Sequence, residues 1–254
     1  MNRRIENAFA NAKAEGRGAF VAYLTAGFPT LEAFEAAADA LVAGGADILE
    51  IGVPFSDPFA DGGVIRKAAY RALEGGMTLA GAIAASARIR SRHPETGIVL
   101  FSYYNPIFSY GLEKFADAVA AAGVDAVLAV DLPLEERGEI QEPLAKRGVS
   151  IVPLIAPNTP MDRIVASAEG LENTFLYIIT VKGTTGARTS LPDDLPVRLD
   201  AIRKAVSLPI AAGFGISTRK QAEEVSAHAD GFVVGSAIVK KLADEGELKG
   251  SVLG

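Results

Sequence analysis

The pattern of short apolar runs is the strongest constraint on what this chain can fold into. Eight runs rich in β-branched residues lie at 19–25 (AFVAYLT), 46–52 (ADILEIG), 97–103 (GIVLFSY), 125–130 (DAVLAV), 149–155 (VSIVPLI), 174–180 (TFLYIIT), 208–213 (LPIAAG) and 230–234 (DGFVV). Helical, largely alanine-rich patterns fill the intervals near 31–44, 63–92, 112–122, 135–147, 160–169, 192–206 and 217–227. Most runs are apolar at consecutive positions, the mark of parallel strands covered on both faces. Eight such units in 254 residues match a closed (β/α)8 barrel, which typically takes about 250 residues. The expectation is therefore a single α/β barrel domain over 1–254, with an extra N-terminal helix and extra helices in the βα loops. A doubly wound open sheet is the structural alternative. Gly44-Gly45, Gly123 and Gly148 each follow a helical stretch and precede a strand, as helix-ending glycines do.

Composition narrows the function. Apolar residues at 49% supply ample core. The net charge of −6, from 25 basic and 31 acidic residues, argues against nucleic acid, whose phosphates require a basic footprint. Any anionic substrate must then be held by a local feature. The absence of cysteine excludes thiolate catalysis, disulfides and cysteine-based zinc sites. The start, Met1 to Glu6, lacks a signal peptide's apolar segment. No apolar run reaches the ~20 residues needed to span a bilayer. A soluble, cytoplasmic protein is expected.

Function in such a barrel gathers at the C-terminal ends of the strands. His93 and His228 fall just before strands, at the opposite end, so neither a histidine triad nor a histidine metal site is expected. The second strand runs out as Ile48-Leu49-Glu50-Ile51-Gly52-Val53-Pro54-Phe55-Ser56-Asp57-Pro58-Phe59-Ala60-Asp61-Gly62. Glu50 interrupts an otherwise apolar run, and a buried glutamate is usually paired or functional. Asp57 reads as a turn residue or a functional one; Asp61 reads as a helix cap or the second member of an acid/base pair with Glu50. Glycines cluster at three later strand ends, in Gly183-Thr184-Thr185-Gly186, Gly213-Phe214-Gly215 and Gly235-Ser236-Ala237. Glycine lets backbone N–H groups approach an anion, and the loops after strands seven and eight are a recurrent phosphate site; tight turns are the plain alternative.

These residues carry a resemblance. LEIGVPFSDPFADG at 49–62 resembles the signature of tryptophan synthase alpha subunits. AFVAYLTAGFP (19–29), SYYNPIFSYG (102–111), VDAVLAVDLPLEE (124–136), IVPLIAPNTP (151–160), FLYIITVKGTTGAR (175–188), IAAGFGIS and VVGSAIVK follow in the family's order along nearly the whole chain. The resemblance implies retro-aldol cleavage of indole-3-glycerol phosphate into indole and D-glyceraldehyde 3-phosphate. By it, Glu50 is the acid/base group, Asp61 accepts the indole N–H, and Tyr177 lies near the glyceryl chain. Tyr23 lines the indole pocket, Thr185 belongs to a lid that orients the aspartate, and Gly186, Gly213, Gly215, Gly235 and Ser236, with Phe214 among them, form the phosphate end. Asp57, Asn105 and Pro106 match positions facing a beta subunit, in a complex expected to be an α2β2 heterotetramer. No cofactor is implied for this chain, pyridoxal phosphate being expected only in that partner.

Several positions depart from the family's usual pattern. Lys182 and Thr184 stand in the lid where Thr and Val are commoner, and Gly63 and Arg66 replace proline and glutamine. The chain ends eighteen residues after Ser236, so an abbreviated last helix is expected. Other phosphosugar barrels would share the phosphate glycines but not the Glu50–Pro58 segment. A stand-alone lyase would share everything but the partner. A non-catalytic binding subunit is disfavoured by the presence of both Glu50 and Asp61.

Overall fold

The computed structural model describes residues 3–180, 194–213 and 215–248. The strands are β1 (Ala19–Thr25), β2 (Ile48–Gly52), β3 (Gly97–Ser102), β4 (Ala126–Ala129), β5 (Ser150–Ile151), β6 (Leu154–Ile155), β7 (Leu176–Ile179), β8 (Ile210–Gly213) and β9 (Gly231–Val234). The helices are α1 (Arg4–Ala14), α2 (Leu31–Ala43), α3 (Gly63–Glu74), α4 (Leu79–Arg92), α5 (Tyr104–Tyr110), α6 (Leu112–Ala121), α7 (Gly138–Ala145), α8 (Met161–Ala168), α9 (Leu195–Ala205), α10 (Arg219–Ser226) and α11 (Ser236–Glu245).

All strand pairs are parallel, in the order β5-β4-β3-β2-β1-β9-β8-β7-β6. The two edge strands are consecutive in sequence, separated only by Val152 and Pro153. The Val152 N–H donates to Val127 on β4 (2.9 Å), and the Pro153 carbonyl accepts from the Tyr177 N–H (3.0 Å). One stretch of chain thus joins both edges, and the sheet closes into the expected barrel. Pro153 explains why the run at 149–155 divides in two, since proline has no N–H to give the ladder.

The helices differ from expectation in two places. The pattern over 63–92 splits into α3 and α4 at Gly75-Gly76, and Thr78 starts the second helix by accepting from the Gly81 N–H at 3.1 Å. The aromatic segment after β3 forms α5, for which no helical period was legible. Pro106 sits in its first turn, where a missing N–H costs nothing, and the Tyr104 N–H is held by Asp131 (2.7 Å). Gly123 and Gly148 follow α6 and α7 at φ +73° and +72°, as helix-ending glycines should.

Two apolar layers make the core. Outward residues of the strands pack under the helices, while inward residues fill the barrel. Helix α1 closes the N-terminal mouth: Ile5, Phe9 and Ala12 pack against Val21, Ile48, Val99, Phe175 and Val233. Asn173 holds it there, accepting from the Ile5 and Glu6 N–H groups (3.1 and 3.4 Å), while the Asn173 N–H donates to Glu6 (2.8 Å). At the same end Asp125 is fully buried and binds Arg4 (3.0 Å), Arg90 (2.7 Å) and the Ile98 N–H (2.8 Å). His93 and His228 pair with Asp39 (2.6 Å) and Asp200 (3.1 Å), away from the strand exits, in structural roles. No helix among the described residues is long and apolar enough to cross a membrane.

Candidate active site

Alternation along β2 aims Ile48, Glu50 and Gly52 into the barrel and Leu49 and Ile51 under the helices. Ile48 belongs to the layer above α1, so Glu50 stands one layer higher, toward the strand exits. It lies in register with Tyr23 on β1 and Val99 on β3. Its carboxyl is 1% exposed, and Oε1 has no hydrogen-bond partner among the described residues. Burial, and then the charge of Asp61, push its pKa up to about 8. At neutral pH Glu50 is therefore a carboxylic acid.

Asp61 closes the loop between β2 and α3 and is 7% exposed. The loop folds over the end of β3. The Val53 N–H donates to Phe101 (2.8 Å), and the Ala60 N–H donates to the Tyr103 hydroxyl (3.0 Å). That hydroxyl in turn donates to the Asp61 carboxylate (3.1 Å). Burial raises the Asp61 pKa to about 6, opposed by the Tyr103 hydrogen bond and the positive charge of Arg66. The two carboxyls thus titrate on opposite sides of neutrality, each with a named cause.

Two tyrosines face the same space. Tyr23 stands edge-on to Phe101 (centroids 5.6 Å, 84°) and accepts a long hydrogen bond from the Thr25 hydroxyl (3.4 Å). Burial holds its phenol un-ionised, reinforced by Asp61 and Glu50. Tyr177, inward on β7, is held likewise by burial, and then by Glu50, Tyr23 and Asp61. Both rings occupy space that only glycine leaves open. A methyl group at Gly52 would stand 2.2 Å from the Tyr23 hydroxyl, and one at Gly213 would stand 2.5 Å from that of Tyr177. Gly52→Ala is accordingly expected to displace Tyr23, lowering turnover about tenfold or more and costing about 1–3 kcal/mol of stability. Steady-state kinetics beside a urea melt check it; full activity would show that the Tyr23 position does not matter.

Gly213, the last residue of β8, leaves the side where a Cβ would stand to the Tyr177 ring. Gly215 (φ +89°) and Ser236 line a separate cavity of about 320 Å³ beside Val64, Ser217 and Lys241. Ser236 begins α11, Gly235 is its N-cap, and the first bond within the helix runs from Val239 to Gly235. The preceding N–H groups are therefore free of helix bonds and can receive an anion. Thr185, Gly186 and Phe214, with Lys182 and Thr184, lie outside the described residues. Asp57 is exposed and accepts locally from the Ser56 hydroxyl (2.5 Å). Asn105 and Pro106 lie on α5, which exposes Phe108 (61%), while Phe59 (68%) stands out from the Asp61 loop. The described residues bring no three histidine, aspartate or glutamate side chains together for a metal.

Sequence reasoning assigned no role to Tyr103, Phe101 or Gly52. Their only signal was membership of the motifs quoted above. A groove of about 1430 Å³ lies elsewhere, between α1, α2 and α10 over Phe20 and Phe232. Its arginines Arg17, Arg203 and Arg219 are held by Asp47, Asp230 and Glu223.

A closed parallel barrel with two buried carboxyls near its strand exits has the architecture of a barrel enzyme, whose site lies at that end. Residues 9–253 match the family model described as tryptophan synthase alpha chain. The tryptophan synthase alpha chain of Citrifermentans bemidjiense is 46% identical over 237 residues, 93% of this chain and 88% of that one. That of Chloroflexus aggregans is 43% identical over 95% of this chain and 90% of its own. Among solved structures, tryptophan synthase from Mycobacterium tuberculosis superposes with a TM-score of 0.88 at 33% identity, covering 96% of this chain and 93% of that one. A protein from Aquifex aeolicus gives 0.87 at 37%, covering 94% and 91%. The chain belongs to the tryptophan synthase alpha chain family, whose reaction is cleavage of indole-3-glycerol phosphate.

Proposed function

We propose that Glu50 and Asp61 carry this cleavage in the present chain. What supports the reading above all is Glu50, buried with an unpartnered oxygen and protonated at neutral pH, beside an Asp61 that is ionised there. Glu50 gives its proton to indole C3, which makes the ring an electron sink. The C3′ hydroxyl is then deprotonated by the carboxylate so formed, and the carbon–carbon bond breaks to indole and D-glyceraldehyde 3-phosphate. Asp61 accepts the indole N–H and steadies positive charge developing on the ring. Tyr177 lies along the glyceryl chain and Tyr23 lines the indole pocket. Gly186, Gly213, Phe214, Gly215, Gly235 and Ser236 hold the phosphate, and Thr185 orients Asp61. No cofactor takes part, because the protonated indole serves as its own sink.

In this reading the chain works as one cytoplasmic barrel domain, the alpha subunit beside a beta subunit in an α2β2 assembly. Asp57, Asn105 and Pro106 face that partner, and the exposed Phe59 and Phe108 nearby favour a covered surface. The test is indole release from indole-3-glycerol phosphate by the purified chain, with and without a tryptophan synthase beta subunit. Slow release that rises strongly with the partner supports the alpha-subunit reading, and fast release alone supports a stand-alone lyase. No release in either condition overturns the catalytic reading. Across pH, kcat/KM is expected to be bell-shaped, with limbs near 6, where Asp61 must ionise, and near 8, where Glu50 must stay protonated.

A further inference from the structure

We propose that Tyr103 is the positioning residue of the carboxyl pair, its hydroxyl fixing the Asp61 carboxylate and pinning the loop that carries it to the end of β3. The inference rests on the roles proposed above for Glu50 and Asp61. It is carried by a set of contacts that converge on one buried side chain. Tyr103 is the residue after β3 and is 1% exposed. Its hydroxyl works in both directions: it accepts from the Ala60 N–H (3.0 Å) and donates to Asp61 (3.1 Å). Its ring is held by two residues of the same loop, Phe55 (centroids 5.1 Å, 32°) and Phe59 (5.4 Å, 61°). One side chain thus grips the loop at Phe55, Phe59, Ala60 and Asp61, while Glu50 stands on the rigid strand at the loop's root.

This grip also sets the charge state of Asp61. A phenol O–H can donate to a carboxylate, so the bond favours the ionised form. The groups that act on the site come from every side. Glu50 stands on β2, Tyr23 on β1 and Tyr177 on β7, and Arg66 on α3 contributes a positive charge. Burial, then Asp61 itself, and last Asp131 after β4 raise the Tyr103 pKa, so the phenol stays a donor. Without the hydroxyl, burial acts on Asp61 against Arg66 alone, and the carboxyl takes up its proton at higher pH. The indole N–H then meets a neutral acid, and the two carboxyls lose part of their separation.

Tyr103→Phe keeps the ring between Phe55 and Phe59 and removes only the hydroxyl. The expected result is that the acid limb of kcat/KM rises by about one pH unit. Near pH 6 the variant then loses about fivefold more activity than at pH 8, with the loss in kcat rather than KM. Independently of activity, the ¹³C-carboxyl resonance of Asp61, assigned through Asp61→Asn, is expected to titrate about one unit higher in the substrate-free variant. An unmoved Asp61 titration overturns the proposal, whatever the activity. So does a loss that is uniform across pH and follows a lowered melting temperature. Absence of indole release from the unmutated chain with its beta subunit would instead overturn the catalytic reading, leaving the titration to decide the role of Tyr103.

Discussion

Glu50→Gln is expected to lower kcat/KM for indole release by about 10²–10⁴-fold, the usual worth of a positioned acid/base group. The amide keeps the shape of the side chain, so KM should change far less than kcat. The same substitution should make the protein more stable in alkali. The folded carboxyl is 1% exposed and titrates near 8, against an ordinary value of 4.5. A raised carboxyl pKa means that folding binds the proton more tightly. That contribution is fully present below pH 4.5 and is lost as pH rises through about 8. Above this window the unmutated protein must bury a carboxylate, while the glutamine variant buries none. At pH 9 the variant should therefore be more stable by about 3 kcal/mol, less than the full shift implies because the buried amide also lacks a partner. Urea melts at pH 5 and pH 9 decide it: equal pH dependence in the two proteins would show that Glu50 is not the group that titrates.

Asp125→Asn is expected to cost about 3–5 kcal/mol, as breaking a buried ion pair by removing one partner does. The side chain is 0% exposed and gathers Arg4, Arg90 and the Ile98 N–H, so it ties α1 and α4 to the entry of β3. Arg90 is itself only 12% exposed, and its burial opposes its charge while Asp125 sustains it. Asparagine can still accept from Ile98, but it removes the negative charge that both guanidinium groups contact. A midpoint in urea lower by less than the equivalent of about 1 kcal/mol would show that solvent reaches the arginines and replaces the pair. Activity of the folded fraction should be unchanged, since the cluster sits at the end of the barrel opposite Glu50.

Glu50 was legible because a single carboxylate interrupts an apolar strand, and burial without a partner is costly enough to need a reason. Asp61 was legible only as one of two loop carboxylates. What separates it from Asp57 is that the loop turns Asp61 inward under Tyr103 and leaves Asp57 in solvent. Tyr103 was not legible as a site residue, because its partners lie 42 and 43 positions away along the chain. Nor was the work of Gly52, where the missing side chain makes room for a ring on the neighbouring strand. Helix α5 escaped the pattern for a local reason: seven residues with three aromatics show no helical stripe.

The sequence alone determined the class of fold, since eight consecutively apolar runs with helices between them leave few ways to bury both faces of each strand. It also narrowed which kinds of chemistry are open, because a chain without cysteine has no thiolate and its histidines lie before strands, away from the strand exits. Only the tertiary structure decided how the barrel closes, through Val152 and Pro153, and which carboxyl is protonated and which ionised at neutral pH. Those two charge states are not properties of glutamate or aspartate. They follow from how much water each carboxyl loses and from the one phenol that reaches Asp61 and not Glu50.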